Sequence, residues 1–347
     1  MNPWVMFILI ASLGLGTTVT FASSHWLLAW MGLEINTLAI MPLMAQQHHP
    51  RAVEATTKYF LTQAAAAALM LFAATSNAWT LGEWNIQQLE HPLAATVTMI
   101  SLGMKIGLAP THLWLPEVLQ GLDLTTGLVL STWQKLAPMV LIYQLAPNVD
   151  PYVLATMGLA STLVGGWGGL NQTQLRKILA YSSIAHMGWM LIVLKFSPNL
   201  MLLNLMIYII MTSTAFLALK LVSATTINML AMMWTKAPAM LTITMLTMLS
   251  LGGLPPLTGF MPKWMILQEL ASQDLPTTAT IMALAALLSL FFYLRLCYNM
   301  TLTSGPNATN SKAPWRLKST TASPLPTLAA LSLMMLPLTP TAIALMT

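Results

Sequence analysis

Residues 101–117 read Ser-Leu-Gly-Met-Lys-Ile-Gly-Leu-Ala-Pro-Thr-His-Leu-Trp-Leu-Pro-Glu, and residues 250–264 read Ser-Leu-Gly-Gly-Leu-Pro-Pro-Leu-Thr-Gly-Phe-Met-Pro-Lys-Trp. Each segment opens with Ser-Leu-Gly, passes through a cluster of glycine and proline, and continues as an apolar run. Glycine tolerates non-helical backbone angles, and proline lacks the N–H that a helix needs. The two segments therefore predict two discontinuous helices.

The composition places these helices in a membrane. Hydrophobic residues make up 56% of the chain and charged residues only 7%, whereas a soluble domain carries roughly 25% charged residues. Apolar runs of about 20 residues recur along the chain, and each can cross ~30 Å of hydrocarbon as a helix. We predict an all-α polytopic membrane helix bundle that forms one transmembrane domain over residues 1–347. The basic residues form no stripe with interleaved aromatics, so no nucleic-acid interface is expected.

The apolar runs and their polar or Pro/Gly-containing breaks predict about eleven membrane spans. Their approximate limits are 3–22, 25–45, 58–76, 93–119, 124–145, 152–170, 178–195, 200–222, 238–270, 276–301 and 323–345. The two interrupted segments lie in the fourth and ninth spans, an odd number apart, so they run in opposite directions. This pattern predicts inverted repeats, 3–145 and 152–301, followed by a C-terminal helix, 323–345. The alternative is that glycine and proline are simply frequent in membrane helices.

The distribution of charge predicts the orientation. The even-numbered connections carry Arg51, Lys58, Arg176, Lys177, Lys236, Lys312, Arg316 and Lys318. The opposite side carries Lys195 together with Glu83, Glu90, Asp150 and Asp274. Because lysine and arginine near span ends remain on the cytoplasmic or matrix side, the N-terminus and the 302–322 loop should lie there, and the C-terminus opposite.

Four charged residues interrupt the apolar pattern within predicted spans. They are Glu34, Lys105, Lys135 and Lys263. A charge at the centre of a membrane helix costs ~2.5 to 3.5 kcal/mol on insertion scales, and a series of such groups is typical of a proton relay. The alternative is a set of static ion pairs or of cations capped by backbone carbonyls.

Other residues in these spans allow two interpretations each. His112 could relay protons or cap the opened backbone of the first break, and His186 could be a relay or a hydrogen-bonded packing residue. The residues that we expect to break the helices are Gly107, Pro110, Gly253, Pro255 and Pro256. Lys58 lies at a span end, where its ammonium can reach the headgroups.

The sequence predicts no cofactor or metal site in this chain. Cys297 is the only cysteine, so no internal disulfide, thiolate-bound iron–sulfur cluster or cysteine-based zinc site can form. The glycine-rich segment 165–169 lies inside a predicted span without a preceding strand, so it is not a dinucleotide-binding loop. No catalytic residue is expected.

Several longer motifs carry a family resemblance over essentially the whole chain. They are Gly32-Leu-Glu34-Ile-Asn36, Lys58-Tyr-Phe60, the segments 104–116, 133–138 and 176–188, and Gly253 through Lys263. They resemble the antiporter-like membrane subunits of respiratory complex I, the NADH:ubiquinone oxidoreductase. In that family the matching residues form a channel, with Glu34 and Lys105 as a coupled ion pair, Lys135 as the central relay and Lys263 as the lysine of the second half.

The resemblance implies a core membrane-arm subunit that couples electron transfer from NADH to ubiquinone to proton translocation. It implies that FMN, iron–sulfur clusters, NADH and ubiquinone bind to other subunits. The expected partners are other membrane-arm subunits and lipids such as cardiolipin, and the expected location is the mitochondrial inner membrane, with the N-terminus in the matrix and the C-terminus in the intermembrane space. Two rival hypotheses are a stand-alone cation/proton antiporter, which would exchange ions alone, and a structural spacer, which would tolerate neutralisation of all four charges.

Overall fold

A computed structural model describes residues 2–46, 49–232, 238–302 and 324–346. Within these ranges the regular structure is helical, and strand-like pairing is confined to two isolated bridges, His25 with Asn85 and Gln174 with Thr226. The chain divides into two compact units, Met1–Ser161 and Thr162–Thr347. The prediction of an all-α chain is confirmed.

The first unit contains α1 (Pro3–Ala22), α2 (Trp26–Met44), α3 (Pro50–Leu81), α4 (Pro92–Ile106), α5 (Trp114–Gly121), α6 (Leu124–Ser131) and α7 (Trp133–Leu145). Helix α8 (Pro151–Gly168) begins in the first unit and ends in the second. The second unit continues with α9 (Leu175–Leu194), α10 (Pro198–Val222), α11 (Ile227–Ala231), α12 (Pro238–Gly252), α13 (Phe260–Ser272), α14 (Pro276–Leu302), α15 (Leu325–Met334) and α16 (Thr339–Met346).

Within the described ranges, six helices are each long and apolar enough to cross a membrane: α1, α2, α3, α9, α10 and α14. The prediction of a multi-pass bundle is confirmed. The total of about eleven spans stays a prediction, because the other predicted spans are built from shorter or interrupted helices.

Both predicted discontinuous helices are present. The first half-helix of each, α4 and α12, is followed by a non-helical stretch of equal length, 107–113 and 253–259, before α5 and α13 begin. Gly107 and Gly253 open these stretches with φ of 87° and 80°, a left-handed conformation that favours glycine. The Ala109–Pro110 and Pro255–Pro256 peptide bonds are cis.

The structure contains two further interruptions that the sequence analysis missed. The predicted span 124–145 is not one continuous helix, because Thr132 (φ −113°, ψ −69°) separates α6 from α7. The predicted C-terminal helix 323–345 is also divided, by a 3₁₀ turn at Leu336–Leu338. Pro337 marks the second interruption, since it lacks an N–H donor, but no glycine or proline stands at the first.

Helices α1 and α2 pack closely through glycine. A methyl group on Gly16 would lie 2.8 Å from the Gly32 carbonyl oxygen and would collide with Oδ1 of Asn36. Small residues let membrane helices approach with their backbones in contact. The close approach places the Asn36 side chain against α1. Asn36 belongs to α2, the helix that also carries Glu34.

We expect Gly16→Ala to destabilise the purified protein by about 1 to 3 kcal/mol, because the added methyl overpacks the α1–α2 contact. Gly14→Ala is the matched control in the same helix, since nothing lies within 4 Å of its added methyl. The control should unfold at or above the wild-type temperature in a thermal unfolding assay. Equal unfolding temperatures for the two variants would show that the contact is not tight.

Candidate functional site

A small cavity lined by both polar and apolar side chains lies in the first unit. The space open to the centre of a water molecule is ≈ 20 Å³, and about 10 to 15 Å³ is enough to hold one water. The polar side chains that line it are Asn36, Thr37, Tyr59, Gln63, Lys105, Gln134 and Lys135. Two of the lysines singled out by the sequence, Lys105 and Lys135, therefore face one cavity.

Lys105 stands in the last turn of α4, immediately before the first break, and is only 7% exposed. Within the described ranges its Nζ has no hydrogen-bond partner. Two neutral side chains satisfy the carbonyls at this helix end: Gln63 Nε2 donates to Lys105 O at 3.4 Å, and Trp114 Nε1 donates to Met104 O at 3.0 Å. The ammonium group is thus left to face the cavity rather than to cap the helix.

Glu34 lies half-buried in α2. The Thr37 hydroxyl is 3.0 Å from its Oε2 atom and 2.8 Å from its carbonyl oxygen. Among the described residues, the ion pairs with N···O distances within 4.0 Å are those of Lys58. The predicted Glu34–Lys105 ion pair is therefore not in direct contact in this conformation, and its coupling stays a prediction.

Lys135 is 2% exposed and lies in the first turn of α7. The interruption at Thr132 creates that helix start, and the Lys135 N–H donates to Thr132 O at 3.3 Å. The side-chain amide of the neighbouring Gln134 donates to the backbone carbonyl of Asn36 at 3.3 Å, and this bond joins α7 to α2. The central lysine thus sits beside a break in its own helix, a feature that sequence reasoning did not find.

Asn36 is a further polar residue of the cavity whose chemistry the sequence analysis did not consider. It is 2% exposed, and neither Oδ1 nor Nδ2 has a hydrogen-bond partner within the described ranges. A buried polar group without a partner costs about 1 to 3 kcal/mol. The sequence does show this amide two residues after Glu34 in an apolar span, but only the fold shows that Asn36 lines the same cavity as Lys105.

Lys263 lies near the start of α13 in the second unit. Its side chain folds back over the second break, and Nζ donates to Gly252 O at 2.8 Å and to Leu251 O at 3.4 Å. These are the terminal carbonyls of α12, which have no partner within that helix. The negative end of a helix dipole also favours a cation there. Carbonyl capping, one of the alternatives considered for these charges, describes the geometry of Lys263.

The two histidines lie outside the cavity lining. His112 is buried in the first break, where Nδ1 is 3.2 Å from Pro110 O, a contact that fits the capping interpretation. His186 is buried in α9, and its ring centroid is 5.5 Å from that of Tyr208. The predicted break residues all stand between half-helices: Gly107, Pro110, Gly253, Pro255 and Pro256.

Lys58 joins α3 to α5 at the surface of the first unit. Its Nζ lies 2.7 Å from Glu117 and 2.8 Å from Glu54. These side chains are 42 to 63% exposed, so the pairs add little to stability. Within the described ranges, no group of three or more His, Cys, Asp and Glu residues is placed to hold a metal ion.

Family models and relatives that belong to NADH:quinone oxidoreductases match nearly the whole chain. The family described as NADH:quinone oxidoreductase/Mrp antiporter, membrane region, matches residues 23–289, and the NADH dehydrogenase subunit 2 C-terminal family matches residues 290–343. NADH-ubiquinone oxidoreductase chain 2 of Formosania lacustris is 70% identical over 99% of both chains, and that of Carassius auratus is 68% identical over 100% of both.

Two solved structures are similar as well. A chain of respiratory complex I from Thermus thermophilus superposes with a TM-score of 0.82 at 28% identity, covering 97% of this chain and 80% of that one. A chain of the Mrp complex from a Dietzia species has a TM-score of 0.83 at 16% identity, covering 97% and 76%. The second likeness concerns the fold alone.

The role of Lys263 as a cap can be tested at Gly253. A methyl group there would lie 2.9 Å from Nζ of Lys263, whereas a methyl on Gly82, which has a similar φ of 76°, meets nothing within 4 Å. Both alanine variants adopt a left-handed conformation at a cost of about 1 to 2 kcal/mol. We expect Gly253→Ala to lose about 1 to 3 kcal/mol more, because displaced Lys263 leaves two carbonyls unpaired. Equal thermal unfolding shifts would contradict this role.

Proposed function

The chain belongs to the NADH-ubiquinone oxidoreductase chain 2 family, and from this premise we propose that its buried lysines carry protons across the membrane. The chain is a core membrane-arm subunit of complex I, the enzyme that couples electron transfer from NADH to ubiquinone to proton translocation. The observation that carries the proposal is the cavity, since it brings Lys105 and Lys135 together where a water molecule fits.

The coupled charges supply the driving step. A nearby carboxylate favours the protonated form of a lysine, and burial favours the neutral form. Moving Glu34 away from Lys105 therefore releases a proton. A thousandfold change in proton affinity is worth about 4 kcal/mol, which matches the ~3.5 to 4.6 kcal/mol needed to move one charge against 150 to 200 mV.

The cavity supplies the route for the released proton. A water molecule in it would accept hydrogen bonds from Lys105 Nζ and from the Asn36 amide, the two groups without partners. Lys135 lines the same space and is the natural acceptor. In this proposal Lys135 is the central relay, because it is the second lysine that lines the cavity.

The second unit has a different arrangement. Lys263 holds its proton against the Leu251 and Gly252 carbonyls, so we assign to it the storage of a proton at the end of α12. His112 and His186 stay candidate members of the relay. The bond of His112 to Pro110 O supports a second task for that residue in holding the first break open.

We propose that the two interrupted helices belong to repeats, 3–145 and 152–301. Each unit has a break of equal length that opens with a left-handed glycine. Each unit also has one isolated bridge between two segments that follow helices. In the first unit, His25, after α1, pairs with Asn85, after α3. In the second unit, Gln174, after α8, pairs with Thr226, after α10. The inverted orientation of the repeats and a similar membrane depth for Lys105, Lys135 and Lys263 stay predictions.

The setting of the chain follows from the same family. We place it in the mitochondrial inner membrane beside other membrane-arm subunits and lipids such as cardiolipin. FMN, the iron–sulfur clusters, NADH and ubiquinone belong to other subunits. The N-terminus faces the matrix and the C-terminus the intermembrane space, because the positive connections then lie in the matrix. Four of the residues behind this assignment lie outside the described residues: Lys236, Lys312, Arg316 and Lys318.

The orientation predicts where reagents reach the 302–322 loop, of which all but the first residue lies outside the described residues. In intact mitoplasts, a protease or label added from the intermembrane side should not modify residues 310–320. After the inner membrane is opened, modification should become rapid. Labelling of that loop in intact mitoplasts would reverse the assigned topology.

Substitutions of Lys135 distinguish a proton relay from a charge with a purely structural role. Lys135→Met keeps the length of the side chain and removes the titratable group, so the complex should assemble while proton translocation falls. Lys135→Arg should also be impaired, because guanidinium does not release its proton in proteins. Both variants are measured in sealed vesicles as proton flux alongside NADH oxidation.

Lys220→Met is the matched control, since Lys220 is exposed in the last turn of α10. It should keep wild-type flux. If Lys135→Met pumps protons at the wild-type rate, Lys135 has no place in the mechanism, whatever its effect on stability.

A further inference from the structure

The second helix break is bonded to the C-terminal helix α15 through side-chain hydroxyls. The Ser250 hydroxyl donates to Ser332 O at 3.0 Å, and the Thr258 hydroxyl donates a short hydrogen bond to the same carbonyl. The two hydroxyls also lie 3.1 Å from each other. We call these three groups the hydroxyl clasp. It joins the last turn of α12, the end of the break and α15.

The clasp is fully enclosed in the second unit. Ser250 is 0% exposed, and Thr258 and Ser332 are each 1% exposed. Water does not compete for hydrogen bonds at such a site, so the bonds are stronger there than at the surface, and a lost partner leaves a polar group unpaired. The clasp can therefore hold the backbone of the break in one arrangement.

The local backbone explains why these groups meet. Helix α15 ends at Met334, so the carbonyl of Ser332 lies in its last turn, where intrahelical donors run out. On the other side, the Gly259 N–H donates to Ser250 Oγ at 3.3 Å. A methyl on Gly259 would collide with the Ser250 carbonyl oxygen, which shows that the two ends of the break are in backbone contact.

The clasp lies next to the carbonyls that bind Lys263. Ser250 directly precedes Leu251 and Gly252, whose oxygens accept from Lys263 Nζ. The first break is closed differently, since Gln63 and Trp114 cap its helix end and leave Lys105 Nζ without a hydrogen bond. The orientation of the carbonyls beneath Lys263 thus depends on how Ser250 is held.

We propose that α15 positions Lys263 for proton transfer through the hydroxyl clasp, with Ser250 and Thr258 as positioning residues. The proposal rests on the proposed function in one respect, the participation of Lys263 in the relay. Loss of the clasp lets the end of α12 rotate, and the Leu251 and Gly252 carbonyls then no longer converge on the ammonium group.

Thr258→Val tests the clasp with little change of shape, because valine replaces the hydroxyl by a methyl group. In the intact complex in sealed vesicles, the rate of proton translocation should fall roughly five- to tenfold, the factor that corresponds to one buried hydrogen bond. Protons moved per NADH oxidised should fall as well, and the KM for ubiquinone should not change. Thr258→Ser keeps the hydroxyl and should restore the wild-type ratio.

Thr247→Val is the matched control, in the helix α12 that also carries Ser250. Thr247 is 0% exposed, and within the described part of the chain its hydroxyl donates to Thr244 O alone, at 2.9 Å within α12. It should pump as the wild type does. If Thr258→Val assembles poorly, Ser250→Ala provides the second measurement, since it removes the Ser250 bonds and leaves the Thr258 bond in place. Reduced pumping per NADH is expected for that variant too.

Three results would overturn the proposal: a Thr258→Val variant that pumps like the Thr247→Val control, a Thr258→Ser variant as impaired as valine, or a Ser250→Ala variant with wild-type protons per NADH. Lys263→Met distinguishes this failure from failure of the proposed function. Impaired Lys263→Met with normal Thr258→Val removes the clasp alone. Normal pumping by Lys263→Met would show that Lys263 takes no part in the relay, and the proposed role of the clasp would fail with it.

Discussion

An interrupted helix inside a membrane must find hydrogen-bond partners for the carbonyls that the interruption exposes. Hydrocarbon offers no water to satisfy them, so the protein itself must supply every donor. The remaining features of both breaks follow from this requirement. Gly107 and Gly253 turn the chain with left-handed angles, and side chains from distant parts of the sequence reach the helix ends.

The two breaks meet this requirement in different ways, and the difference decides which groups each lysine side chain contacts. At the end of α4, the neutral donors of Gln63 and Trp114 satisfy the carbonyls. Within the described residues, Lys105 Nζ then makes no capping bond. At the end of α12, Lys263 supplies the donors itself. One lysine thus lines a cavity, and the other caps the end of a helix.

The cavity also depends on which polar groups find hydrogen-bond partners in the protein. Among the described residues, the Asn36 amide atoms and Lys105 Nζ have no hydrogen-bond partners, and both residues line the space where one water fits. A fully bonded Asn36 would leave no reason for water to enter, and an apolar residue would keep the cavity dry. Close packing of α1 against α2 at Gly16 brings Asn36 into place. A packing contact at one helix surface therefore helps to position a polar side chain that lines the cavity.

The sequence by itself determined the membrane helices, the two interruptions and the candidate charged residues, because apolar length, Gly/Pro clusters and charges within a span are local properties of the chain. It did not contain the break at Thr132, where no glycine or proline stands, or the orientation of any side chain. The separation of Glu34 from Lys105 and the return of Lys263 onto α12 depend on contacts between residues far apart in sequence. Such contacts exist only once the helices have packed, so the tertiary structure alone decided which lysine caps a helix and which faces the cavity.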